Sequence, residues 1–449
     1  MLHVNKVDSF LTEILEIGAS NLRPFTNYKF ELRLHADVGI HRSFCVLKSD
    51  KNGEIDLVTR KPLRGTYTDA DPMGLFMTVE RTDDVEYGTM ARFRNGELLF
   101  YTLSELEKRF RHPDVTEIEV KKDGIWGVIN KPPGPGPFPC IIDTPTLYGK
   151  IFRNHGLLFA AEGFLSFSFP MFDEPGLPTT MQEVDVEYIS VLNFQQADNS
   201  IKYFQKHIKF VQSLPYCSDK IGVYGLSFAG TIALHLATRH PELTAVVSMN
   251  GPEAFHRERG YLRENGKPIV CETLNDSLSE RKNGAVKQKA AFFDMFNRLT
   301  SETSLQWEKI PKHVAFRVLA SMDDWILDGV TNGFHIRDHL LRTGHKVEVS
   351  LQKRSTDNEH CFFPIDFVNA GHVAIVPYVP HSSFAYNKFV NVILGFGGET
   401  LTHAKAVEVG WSNHIKFFKK HLGTPERVPD YKRETTIVIP GRAELASKL

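Results

Sequence analysis

Over the first quarter of the chain, apolar and polar residues change places every one or two positions. In "YKFELRLHA" the residues Tyr28, Phe30, Leu32 and Leu34 take every second place, which puts them on one face of a strand. The runs "SFCVLKSD", "EIDLVTR", "LFMTVERT", "GELLFYTL" and "TEIEVKKD" follow between turn-like clusters, up to Trp126. Short strands at this spacing predict an all-β sandwich. The texture breaks at "NKPPGPGPFPCIIDTP", where five prolines and two glycines fall within Pro132–Pro139. Neither a helix nor a central strand tolerates them, and a domain boundary is expected beside this segment.

Beyond it, strand-like runs at Cys140–Ile142, Phe164–Phe169, Ile221–Tyr224, Ala245–Met249, Phe316–Ala320 and Val347–Leu351 alternate with helix-like stretches. In one of these, Phe194, Ala197, Ile201, Phe204 and Ile208 recur at three- and four-residue steps. The alternation predicts a mostly parallel sheet with helices on both faces. The expected organisation is a β-sandwich over 1–128, an α/β domain over 129–425 and a tail over 426–449.

The stretch "IGVYGLSFAGTIALHLA" places Ser227 among Gly225, Ala229 and Gly230, between a strand end and a helix start. A sharp strand-to-helix turn strains its apex residue and crowds the residues two places before and after, so both must be small. Gly225 and Ala229 hold those places. The turn lifts a hydroxyl above the sheet edge at the positive end of a helix. A helix N-cap serine after an ordinary turn would read the same locally. A serine nucleophile also needs a base and an orienting carboxylate, in the chain order Ser, Asp, His for this turn. Downstream, "FRVLA" runs into "SMDDW", which puts Asp323 and Asp324 at a strand end. After "KVEVSL" and a polar loop, "NAGHVAIVPYVP" offers His372, with His360 as a rival.

Composition removes several other classes. Lys plus Arg total 53 against 54 Asp plus Glu, a formal charge of -1, which gives no basic excess for nucleic acid. Apolar residues at 42% and charged residues at 24% are ordinary globular values. Five scattered cysteines lack the spacing of a zinc or redox motif, so no metal and no cofactor is expected. The N-terminal "MLHVNKVDSFLTEILEIG" carries acidic residues inside its apolar part and does not read as a signal peptide. The apolar window "HGLLFAAEGFLSFSFPMF" is broken by Glu162, Gly163 and Pro170. It reads as a helix end and a buried strand rather than a membrane span, which needs about 20 apolar residues. A soluble protein is expected.

The motifs together resemble the acyl-CoA thioesterase and bile acid-CoA:amino acid N-acyltransferase family. "GTYTDADPMGLF" is similar to its N-terminal signature, "PPGPGPFPCIID" to its interdomain segment and "GVYGLSFAGTIALHLA" to its nucleophile turn. "SMDDW" resembles its acid loop, "GHVAIVPYVP" its histidine loop and "GGETLTHAKAVEVGWSNHIKFFKKHLG" its closing helix. The resemblance implies an immunoglobulin-like sandwich followed by an α/β-hydrolase domain. It implies Ser227 as nucleophile, Asp324 as acid and His372 as base, acting on fatty acyl-CoA of medium to long chain length. The conjugating members typically carry cysteine at the nucleophile position, so serine points to hydrolysis. Amide transfer to an amino acid, simple ester cleavage and non-catalytic acyl-CoA binding are the alternatives. The oxyanion donors expected are the N–H groups of Phe228 and of Thr144 or Thr146, since Pro145 has none.

Arg257, Arg259 and Arg263 in "HRERGYLREN" could face coenzyme phosphates, though a solvated charged face accounts for them as well. The final residues Ser447, Lys448 and Leu449 match the tripeptide read by the peroxisomal import receptor. A peroxisomal address is therefore expected.

Overall fold

Alternation of apolar side chains along the strands sorts them into two cores, one on each side of a nine-stranded sheet. In the computed structural model, its strands lie in the order Thr116–Lys122, Ile125–Lys131, Leu165–Ser168, Phe138–Asp143, Cys217–Leu226, Ala245–Met249, Ala315–Ser321, Ile365–Val368, Val349–Leu351. The first two pair antiparallel with each other, and the second pairs antiparallel with the third; every later pairing is parallel. The structure describes residues 2–36, 39–82, 99–101, 106–147, 149–179, 203–257, 262–264, 267–345, 349–351, 365–387, 391–430 and 437–439.

On one side of the sheet, Cys140, Ile142, Val223, Val246, Val318 and Phe367 pack against the helices Tyr203–Gln212, Phe228–Ala237 and Gly329–Arg342. On the other, Ile141, Tyr224, Val247, Leu319 and Val368 meet the helices Arg153–Ala161 and Thr400–Leu422. Fully burying one such apolar side chain contributes about 1.5–3 kcal/mol. The segment "HGLLFAAEGFLSFSFPMF" divides as its pattern suggests, into the helix Arg153–Ala161 and the strand Leu165–Ser168, both buried. No helix among the described residues is long and apolar enough to cross a membrane.

The N-terminal strands form two sheets. Leu2–Val4, Ile17–Ala19 and Ile55–Asp56 belong to one; Asp8–Phe10, Asn27–Ala36, Gly39–Lys48, Leu99–Tyr101 and Leu106–Arg109 are among the members of the other. Val4, Ile17 and Ile55 from the first share an apolar cluster with Phe10, Leu32, Leu34 and Leu47 from the second. The chain is therefore a β-sandwich joined to an α/β domain. That cluster continues into Val407, Trp411 and Phe418 of the helix Thr400–Leu422, so the two parts share one core.

Four sequence expectations change. "LFMTVERT" is a one-turn helix, Gly74–Met77, before a two-residue strand, Glu80–Arg81. A Cβ on Gly74 would sit 2.4 Å from the Tyr67 ring, and all four helical residues are buried. "TEIEVKKD" pairs with Ile125–Lys131 and through it joins the large sheet. The change from sandwich to α/β sheet therefore comes before Thr116, upstream of both residue 128 and the prolines. Ile365–Val368, read as loop, is an inner strand of the large sheet whose Phe367 and Val368 are buried. Four residues are too few to show a period. Finally, Ile437–Ile439 of the tail pairs antiparallel with Leu2–Val4. Of the helix expected around 188–208, only the part from Tyr203 falls within the described residues, and it is helical.

Candidate active site

Ser227 stands at the turn between the strand Cys217–Leu226 and the helix Phe228–Ala237, with φ 59° and ψ -127°. Few residues other than glycine adopt such a positive φ, and three hydrogen bonds hold it. Its N–H donates to Met249 O at 2.8 Å, and its carbonyl accepts from Gly230 N at 2.7 Å and Thr231 N at 3.2 Å. A Cβ on Gly225 would lie 2.1 Å from Ala229 O and 2.6 Å from Thr144 Oγ1. The lack of a side chain at Gly225 is thus a steric requirement of the bend.

The hydroxyl is half-buried and aimed at an imidazole. Ser227 Oγ and His372 Nε2 are 2.7 Å apart, and His372 Nδ1 lies 2.7 Å from Asp324 Oδ2. The other carboxylate oxygen, Oδ1, accepts from the N–H groups of Ile326 at 2.8 Å and Leu327 at 2.9 Å. Asp324 is 0% exposed and His372 5%, so both are shielded from water. The structure also separates the paired aspartates. Asp323 is exposed, and its carboxylate accepts from Trp325 Nε1 at 2.9 Å and Gly398 N at 3.0 Å. His360 lies outside the described residues.

Phe228 opens its helix, and a first-turn N–H has no acceptor inside the helix, so the helix itself does not use the Phe228 N–H. Thr144 does not match its expected part. Its N–H donates to Tyr224 O at 3.0 Å, extending the ladder between Phe138–Asp143 and Cys217–Leu226, and its single hydroxyl proton is shared between Tyr224 O at 3.0 Å and Ala229 O at 2.9 Å. A donor spent on the sheet cannot serve an oxyanion. Thr146 lies past the ladder, half-buried, with its hydroxyl donating to Lys150 O at 3.3 Å.

Sequence reasoning missed the groups behind the histidine. Asn250 donates through Nδ2 to the carbonyl of His372 at 2.7 Å and to Ser321 Oγ at 2.9 Å. Its Oδ1 accepts from Ser321 N at 2.8 Å. It ties the histidine loop to the ends of two strands, and its φ of 48° belongs to a turn. The Asn-Gly pair after "VVSM" was the available signal. His403 is the second missed group. Its Nδ1 accepts from Gly371 N at 3.0 Å, and its ring stacks on His381 at 3.7 Å between centroids. Burial, then the neighbouring His381, holds His403 well below the usual histidine range, as an accepting nitrogen requires. Arg259 lies outside the described residues, as do the side chains of Arg257 and Arg263.

A cleft of about 730 Å³ runs between Pro133–Pro139 and Leu422–Pro429. It lies where Phe138 and Cys217 begin their strands, at the opposite end of the sheet from Ser227. Among the described residues, no group of His, Cys, Asp and Glu is placed to hold a metal ion.

A sandwich preceding a mostly parallel sheet, with a serine at a strained strand-to-helix turn, defines the class: an α/β hydrolase with an N-terminal β domain. More particularly, the chain belongs to the BAAT and acyl-CoA thioester hydrolase family. The family's C-terminal region matches residues 199–424 and its N-terminal region residues 12–122. The chain is 26% identical to acyl-coenzyme A amino acid N-acyltransferase 2 of Mus musculus, over 92% of this chain and 96% of that one. It is 24% identical to the peroxisomal succinyl-coenzyme A thioesterase of Mus musculus, over 92% and 94%. Acyl-coenzyme A thioesterase 1 of Rattus norvegicus is 25% identical over 92% and 94%. Among solved structures, a putative dienelactone hydrolase from Klebsiella pneumoniae aligns over 68% of this chain and 98% of that chain, with 14% identity and a TM-score of 0.35.

Proposed function

We propose that the protein hydrolyses fatty acyl-CoA of medium to long chain length to a fatty acid and coenzyme A. The observation that carries this reading is the unbroken chain of contacts from Ser227 Oγ through His372 to Asp324, at 2.7 Å in both steps. His372 Nε2 takes the hydroxyl proton as Oγ attacks the thioester carbonyl. Asp324 accepts a hydrogen bond from the Nδ1–H, which keeps that proton on Nδ1 and leaves Nε2 free to receive one. The N–H groups of Phe228 and Thr146 face the oxyanion, each worth about 3–4 kcal/mol. The C–S bond breaks, the coenzyme leaves as a thiol with the proton from His372, and an acyl-serine remains. Water then gives its proton to His372, attacks the ester and releases the acid, and Oγ recovers its proton.

Kinship to N-acyltransferases at 26% identity supports a second reading, in which an amine takes the place of water. Purified protein incubated with acyl-CoA of graded length, with and without glycine and taurine, separates the two. Free acid and thiol in equal amounts, unaffected by amine, is the expected outcome; mostly amide would overturn hydrolysis. Cleavage of simple esters in preference to thioesters would instead support a carboxylester lipase.

We further propose a peroxisomal location, supported by the import tripeptide Ser447-Lys448-Leu449 where it stands free at a C-terminus. These three residues lie outside the described ones. A fluorescent protein fused upstream of the chain should enter peroxisomes and become diffuse when the tripeptide is removed. Unchanged punctate location after removal would sink the assignment.

A further inference from the structure

The strands Glu280–Lys282 and Ala285–Lys287 form a hairpin in a four-stranded sheet with Val392–Gly395 and Phe384–Asn387. Glu280 pairs with Lys287 and Lys282 with Ala285, so these four side chains share one face. That face meets the indole of Trp325. Lys287 Nζ lies 3.8 Å and Lys282 Nζ 5.1 Å from its ring centre. An indole face attracts each cation, but two ammonium groups gathered over one ring repel each other.

No direct ion pair among the described residues relieves that repulsion. Among the described residues neither lysine forms an ion pair, whereas the neighbouring Lys289 pairs with Asp328 at 3.8 Å. Asp323 directs its oxygens at the Trp325 indole N–H and the Gly398 N–H rather than at either lysine. Glu280, directly opposite Lys287, makes no ion pair with it.

The platform is built on the backs of the two loops that form the candidate site. Trp325 follows Asp324 directly, and its carbonyl accepts from Gln288 N at 2.9 Å, which fastens the hairpin to the acid loop. Its ring covers Gly397, where a Cβ would come within 2.6 Å of Cδ1, and Gly395, where a Cβ would come within 2.9 Å of Cε3. Gly397 bridges Asp324, and the carbonyl of Phe396 accepts the His372 N–H at 2.8 Å. Two ammonium groups with no direct ion pair among the described residues therefore stand beside the loops of Asp324 and His372.

We infer that Lys282 and Lys287, gathered on Trp325, form a phosphate site for the coenzyme A half of the substrate. The ligand rests on the acyl-CoA reading given above. Phosphoryl oxygens between two ammonium groups accept charge-assisted hydrogen bonds from both and remove their mutual repulsion. The indole attracts both lysine heads, which reduces the side-chain freedom lost on binding.

Titration calorimetry of the full-length protein with desulfo-coenzyme A, which binds but cannot react, tests this. Lys282→Gln/Lys287→Gln should weaken the dissociation constant by about 100-fold, roughly 10-fold per lysine. Lys282→Arg/Lys287→Arg should keep most of the affinity, and Trp325→Leu should lose part of it with every charge retained. Adenosine 3′,5′-bisphosphate should compete with the analogue. An unchanged dissociation constant in the double glutamine variant, with an unchanged melting temperature, would overturn the site. Retention of the protein on phosphatidylserine vesicles through these lysines, without binding of the analogue, would overturn its assignment to coenzyme A. The two readings fail separately. A protein that binds desulfo-coenzyme A through the lysines but cleaves no thioester sinks only the hydrolase reading. One that cleaves acyl-CoA with an unchanged KM in the double variant sinks only the phosphate site.

Discussion

Ser227→Ala is expected to lower acyl-CoA hydrolysis by at least about 10⁴-fold while leaving the melting temperature and substrate binding close to those of the parent. The substitution removes one atom, Oγ, and with it the partner that His372 Nε2 meets at 2.7 Å. Alanine keeps the Cβ of serine, so the bend at φ 59° and its three backbone hydrogen bonds remain. Single-turnover kinetics with a chromogenic thioester would show no thiol burst. Full turnover in this variant would mean that the triad is a structural relic and that the protein cleaves acyl-CoA elsewhere.

Asp324→Asn should cost about 10⁴-fold in kcat for a different reason. The asparagine oxygen can still accept from Ile326 N and Leu327 N, which now bond to Oδ1 at 2.8 Å and 2.9 Å. Its amide then turns toward His372 Nδ1 and offers a donor where an acceptor stood at 2.7 Å. The imidazole must move its proton to Nε2, the nitrogen that has to accept from Ser227. The fold is kept and the base is lost. Asp323→Asn, one residue earlier and exposed, should change kcat little because its carboxylate meets only Trp325 and Gly398. Equal losses in the two variants, measured as kcat on one acyl-CoA, would contradict the role given to Asp324.

Much of this site could be read from residue order. The bend at Ser227 is local, and its small neighbours announce it within five residues. Strand ends followed by loops in a fixed order narrowed the partners to Asp323 or Asp324 and to His372 or His360, and the family resemblance singled out Asp324 and His372. The supporting groups were hidden because their partners are remote: Asn250 meets a carbonyl 122 positions away and His403 an N–H 32 away. Thr144 misled because its N–H, apparently free in a loop, continues a ladder set by the pairing of Asp143 with Tyr224. For "TEIEVKKD" the alternation gave a strand correctly, but periodicity carries no information about which sheet a strand joins. Ile365–Val368 was too short to stand out, although it runs into the loop that carries His372.

The pairing of Leu2–Val4 with Ile437–Ile439 sets an order on biosynthesis. A strand needed to finish the first sheet leaves the ribosome only after the whole hydrolase region has been made. Until then Leu2–Val4 has Ile17–Ala19 on one side and unpaired backbone on the other, an edge open to strands of other nascent chains. This pairing must wait for synthesis to reach Ile439, and chains halted before Ile437 are expected to keep that edge open and to aggregate.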